Sequence, residues 1–228
     1  MNTNQNNAMN WNDLYRILHD FYGEIQWWEP EDRFEVVVGS ILGQNTTWSS
    51  VEKAIANLKA AKMFSLKKLA SAQPEIVEQL IRPAGYYRLK TQRLQNLLKY
   101  ILGKYKTLDK MFQASLETLR EELLSINGIG PETADSILLY AGELPSFVVD
   151  AYTKRILSRH GWDAALEPKN KSARAQYDVI WDSFMEQLEP HAPTMAQLHA
   201  YIIETAKLFC HKSKMECESC PLYRFKKE

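Results

Sequence analysis

The chain has 228 residues, 45% of them apolar and 25% charged, a composition that suits a soluble globular protein with one large core or two smaller ones. Glycine and proline together number 18, about 8% against a typical ~12%, which favours few, long elements over a many-stranded sandwich or barrel. No apolar run approaches the ~20 residues that span a bilayer, and the polar start lacks a signal-peptide core, so a cytoplasmic protein is expected. Lysine plus arginine equals aspartate plus glutamate at 28 each, and a net charge of zero, taken alone, argues against a nucleic-acid binder.

In chain order, residues 1–10 are polar and expected to be disordered. Trp11, Leu14, Tyr15, Leu18, Phe21 and Tyr22 recur at three- and four-residue spacing, the pattern of an amphipathic helix. After a loop at Trp27–Pro30, Phe34 to Leu42 is almost continuously apolar. A strand would fit that run, but the pattern resumes through Val51, Ala54, Ile55 and Leu58, which favours a buried helix. Short helices are expected over Leu66–Ala72 and Pro74–Ile81, the second with proline in its first turn. A longer one is expected from Leu89 through Ile101, ended by Gly103. Leu116–Ile126 stops at Asn127-Gly128, and Pro131–Tyr140 and Ala151–Arg159 follow. Helices over about 172–188 and 194–209 complete an all-α reading.

The charges are segregated. Lys53 to Lys110 holds 13 basic residues against Glu75, Glu78 and Asp109, a net of +10, with −6 before it and −4 after. A Lys-rich solvated helix face would explain part of this; a surface that neutralises phosphates would explain all of it. The three cysteines, Cys210, Cys217 and Cys220, fall within the last 19 residues. That clustering speaks for metal or cluster ligands rather than a disulfide framework.

Two motifs carry the chemistry. In Asn127-Gly128-Ile129-Gly130-Pro131-Glu132-Thr133 two helices are joined by Gly-Ile-Gly. The glycines allow positive φ and close backbone approach, Ile129 can plug the angle, and the following helix N-terminus can hold a phosphate oxygen. About twenty residues on, Asp150 precedes a helix as an N-cap in Val148-Val149-Asp150-Ala151-Tyr152.

The hairpin and the capping Asp at this separation resemble the helix-hairpin-helix DNA glycosylases of the endonuclease III superfamily, over nearly the whole chain from Trp11. Gly39–Thr46 resembles the segment whose Gln and Asn, here Gln44 and Asn45, enter the DNA helix beside the lesion. Gly85-Tyr86-Tyr87-Arg88-Leu89-Lys90 resembles the family's glycine-aromatic-basic segment. The resemblance implies two helical domains flanking a DNA-binding cleft. Residues 31–144 would form a six-helix barrel with the helix-hairpin-helix at about 114–141. Residues 11–30 and 145–228 would form the second domain, with Asp150 catalytic. Gly128, Ile129, Gly130 and Thr133 would bind the DNA backbone.

Departures from the family pattern narrow the expectation. Bifunctional members carry a nucleophilic Lys two residues after the second hairpin glycine; here that residue is Glu132, so a monofunctional glycosylase is expected. Asp150 would stabilise a cationic sugar or orient water. Without an evident general acid, the easiest substrates are bases already positively charged, such as 3-methyladenine. Trp27, Trp28 and Trp48 offer indole faces for such a base, and Gln44 would fill the gap it leaves. These features resemble the family's 3-methyladenine branch. Glycosylases for another damaged or mismatched base, with or without lyase activity, and a non-catalytic damage-binding protein remain as alternatives. Catalysis would need no cofactor. Cys210, Cys217 and Cys220 reproduce the first two spacings of the family's 4Fe–4S motif, but the fourth position is Lys226. Either the three are remnants, or His211 or an exogenous group completes a structural cluster. The expected partner is damaged double-stranded DNA, bound by a monomer away from any membrane.

Overall fold

A computed structural model describes residues 9–26, 30–164, 166, 168, 170 and 172–225. Trp27 and Trp28, two of the three pocket candidates, and Lys226 lie outside the described residues. The chain is all-α. In order, its helices are α1 (Trp11–Tyr22), α2 (Arg33–Leu42), α3 (Trp48–Ala60), α4 (Leu66–Ser71), α5 (Pro74–Leu80) and α6 (Tyr87–Lys104). They continue with α7 (Leu108–Met111), α8 (Leu116–Ser125), α9 (Pro131–Ser136), α10 (Ala151–His160), α11 (Ala173–Gln187) and α12 (Ala192–Leu208). Among the described residues no helix is long and apolar enough to cross a membrane.

The helices gather into two compact units, residues 1–28 with 145–228, and residues 29–144. In the first, α1 and α10 pack against α12. Trp11 stacks on Phe184 of α11 with ring centroids 4.4 Å apart, and Phe184 stacks on Phe147 at 3.8 Å. The Trp11 indole nitrogen donates to Ser183 Oγ at 2.9 Å, so the ring is buried without an orphaned donor. Met9 and Asn10, expected in the disordered start, are ordered. Met9 is buried, and the Asn10 side chain accepts from the Asn12 and Asp13 N–H groups as the cap of α1. Polarity marks a helix cap here rather than disorder.

In the second unit α6 packs against α2, α4 and α5. The apolar run from Phe34 is a helix buried almost all round: Phe34, Val36, Val37, Val38, Ile41 and Leu42 are all in the core. The helix expected over Pro131–Tyr140 is α-helical only to Ser136. Ile137–Ala141 is wound as a π turn.

The hairpin runs from α8 to α9. Arg120 of α8 and Asp135 of α9 form a two-point ion pair, Nε to Oδ1 at 2.8 Å and Nη2 to Oδ2 at 3.2 Å, with Asp135 fully buried. This pair and the buried Ile129 side chain fix how the two helices meet. Asp135→Ala removes both points of this ion pair and is expected to cost about 3–5 kcal/mol of unfolding free energy. Phe184→Ala opens the stack between Trp11 and Phe147 and is expected to cost a similar ~3–5 kcal/mol. Both are read from denaturant midpoints, and a loss below ~1 kcal/mol in either would contradict the role given to that contact.

Candidate functional site

The segment before α10 has no regular structure and is buried through Phe147, Val148 and Val149, and Asp150 ends it in extended backbone as the cap of α10. Asp150 Oδ1 accepts from the Thr153 N–H at 2.7 Å and from the Thr153 hydroxyl at 3.0 Å. His199, reaching in from α12, sets its Nε2 3.6 Å from Oδ2. Asp150 is 8% exposed. Burial by itself would raise its pKa. The His199 contact and the two Thr153 donors outweigh it and hold the carboxyl below its ordinary range. The outcome is a desolvated carboxylate that is ionised at neutral pH, an arrangement suited to stabilising a cation or accepting a proton from water.

The second set of residues lies in the 29–144 unit. Gly128 adopts φ +95°, and a Cβ there would come within 2.2 Å of Arg93 Cγ, so both backbone and space demand glycine. Gly130 is different: its φ of −93° is open to any residue, and a Cβ would meet nothing. As the cap of α9 it supplies no side-chain acceptor to the first-turn N–H groups. Glu132 stands exposed in that first turn.

Gln44 is drawn onto this hairpin. Its Nε2 donates to Gly128 O at 3.3 Å and to Thr133 Oγ1 at 3.0 Å, while its Oε1 accepts from Arg93 Nη1. Thr133 is buried with its hydroxyl turned to Gln44, which leaves its backbone rather than its side chain for a phosphate. Asn45 is exposed at φ +54°, and Trp48, at the start of α3, is 42% exposed.

Other residues show their place only in three dimensions. Tyr86 is held at φ +45° directly after Gly85 (φ +67°), and this pair of positive-φ residues leaves Tyr86 70% exposed. Arg93 and His199 carry no local signal: each acts across 35 residues or more of chain. The charge segregation also needs correction. Lys90 and Arg93 are turned inward, Lys59 pairs with Glu31 and Glu35, and Lys104 pairs with Glu122. Lys53, Lys62, Lys67, Arg82 and Lys99 are among the cations presented to solvent.

The cysteine segment is closed by protein contacts. Arg159 Nη1 donates to Cys210 Sγ at 3.1 Å and to His211 O at 2.7 Å, and Arg155 Nε donates to Cys210 O at 2.7 Å. Cys210 is buried, whereas Cys217 and Cys220 are partly exposed. Among the described residues no three His, Cys, Asp or Glu side chains are grouped to hold a metal ion.

Residues 38–182 match the model of the HhH-GPD superfamily base excision DNA repair proteins. The DNA repair glycosylase candidate MJ1434 of Methanocaldococcus jannaschii is 45% identical over 214 residues, covering 93% of each chain. The crystal structure of an H. pylori 3-methyladenine DNA glycosylase bound to 1,N6-ethenoadenine is 27% identical with a TM-score of 0.69, over 87% of this chain and 98% of that one. An endonuclease III in a non-covalent DNA complex shares the fold at 21% identity and a TM-score of 0.75, over 98% of this chain and 96% of that one. With the family model spanning well over half the sequence and a relative at 45% identity across 93% of it, this chain belongs to the HhH-GPD superfamily of base excision DNA repair proteins.

Proposed function

We propose that the protein is a monofunctional DNA glycosylase that hydrolyses the N-glycosidic bond of flipped N-alkylated purines such as 3-methyladenine and leaves an abasic site. One observation carries this reading. The position from which an amine would attack the sugar holds the exposed carboxylate of Glu132, while Asp150 is kept buried and ionised. In the proposed reaction the base leaves with the electron pair of the C1′–N bond. An N-alkylated purine starts out cationic and so departs neutral without a general acid. Asp150 faces the positive charge that develops on the sugar and takes a proton from the water that adds to C1′.

The first-turn N–H groups of α9 would hold a phosphate, and the loops bearing Gln44–Asn45 and Tyr86 would contact the duplex around the extruded nucleotide. The exposed indole of Trp48 suits stacking on a cationic base. The resemblance to a 3-methyladenine DNA glycosylase of known structure supports the choice of substrate.

Duplexes carrying an alkylated purine, thymine glycol or a mismatch separate the alternatives. The alkylated strand is expected to break only after alkali; breakage without alkali, or borohydride trapping, would refute monofunctional action. Asn caps helices as well as Asp does, so Asp150→Asn is expected to fold while losing about 10²–10³ in single-turnover release. Release at the wild-type rate would remove Asp150 from the chemistry. The lowered pKa also fixes a sign. The ionised carboxylate favours the fold above the ordinary Asp value of ~3.9, and that contribution is lost only as pH falls through the lower folded value. Asp150→Ala is therefore expected to cost ~0.5–2 kcal/mol at pH 7, with the difference from wild type shrinking toward pH 2.

A further inference from the structure

Lys90 is a cation withdrawn from water. It is 1% exposed, and its Nζ donates to Leu42 O at 2.8 Å and to Ala84 O at 2.7 Å. Leu42 is the last residue of α2 and Ala84 the last of a 3-10 turn, Arg82–Ala84. Terminal carbonyls of this kind have no partner within their own helix and carry the negative end of its dipole, so an ammonium suits both. Within its own helix the placement is unfavourable, because a cation one turn from the start of α6 faces the positive end. Burial, with the nearby Arg93 charge, pushes the Lys90 pKa down to about 8. An amine with a lowered pKa is often a nucleophile. This one is sealed from any sugar by its burial and its two carbonyls, so its role has to be sought in what it joins.

The two acceptors stand at the roots of the two exposed loops. Gly43, Gln44 and Asn45 follow Leu42; Gly85 and Tyr86 follow Ala84. Because a single nitrogen binds both, the two carbonyl oxygens lie within about 5.5 Å of each other. We propose that Lys90 is a positioning residue that ties these loop roots together and so sets the separation at which Gln44–Asn45 and Tyr86 meet a duplex. The DNA half of this statement rests on the reading of the two loops given above; the tie itself does not. Arg93, one turn further along α6, extends the same device by gripping Gln44 and lying against Gly128.

Hydrogen exchange on the free protein tests the tie without DNA. Lys90→Met keeps the apolar stem and removes the donors. It is expected to speed exchange in residues 43–48 and 84–88 together, on the order of tenfold, while α8 and α9 stay as in wild type. Lys90→Gln retains two N–H donors on a shorter stem and is expected to restore part of the protection; it also takes over the exchange test if the Met variant does not fold. Faster exchange in only one loop, in neither, or uniformly through the 29–144 unit would overturn the proposal.

With a duplex holding 2-aminopurine opposite an abasic-site analogue, wild type is expected to raise the fluorescence and Lys90→Met to lose most of the rise. Affinity for undamaged duplex should stay within about twofold, and release of an alkylated purine should slow on the order of tenfold, a loss in kcat rather than KM. A wild-type protein that leaves 2-aminopurine unchanged would refute the DNA role of the loops while leaving the tie to be judged by exchange. A wild-type signal fully retained in Lys90→Met would refute the positioning role alone.

Discussion

A carboxylate taken out of water remains an anion only if the protein replaces the lost solvent, and Asp150 meets that requirement with two hydrogen bonds from Thr153 and the His199 imidazole 3.6 Å away. The demand reaches well beyond one residue. Thr153 can donate twice because α10 starts at Asp150, so the cap that begins the helix and the solvation of the carboxylate are one interaction. His199 can approach because α12 packs against α10. The buried approach through Phe147, itself stacked on Phe184, fixes the direction from which the chain reaches the cap. Local folding and chemistry therefore share the same atoms at this position.

The 29–144 unit solves the converse problem. It turns cations inward, and they are matched to helix ends and side-chain oxygens. Lys90 satisfies two terminal carbonyls, and Arg93 binds the carboxamide of Gln44, whose nitrogen in turn bonds Gly128 and Thr133. The hairpin is thus joined to the loop after α2 by a side chain that the family resemblance assigns to the DNA helix. Asp135 beneath Arg120 is the one buried anion described for the hairpin, and it too is held at two points.

The helices were legible because burial of one face leaves a three-to-four-residue period, and α2 because its nearly unbroken apolar run suits a helix covered all round. The π turn at Ile137–Ala141 was not, since a change of winding leaves the apolar content unaltered. Asp150 could be read from its place before a helix, and Gly128 from its turn. Lys90 could not: a lysine between Leu89 and Thr91 in an amphipathic helix reads as surface, and its acceptors lie 48 and 6 residues away. The hairpin partners of Gln44 met the same obstacle, lying 84 and 89 residues distant. Contacts of that span leave no mark on a single sequence. His199, likewise, reads as an ordinary helical histidine until α12 brings it to Asp150.

The contact between Gly128 and Arg93 ties the fates of two distant codons. The stem of Arg93 fills the volume that a methyl group at 128 would need, while its guanidinium holds Gln44. A larger residue at 128 would have to displace Arg93 and thereby release Gln44, so one substitution would be felt at three positions. Descendants of this chain are held to glycine at 128 twice over, and a shorter residue at 93 would lift the steric constraint while leaving the one set by the backbone.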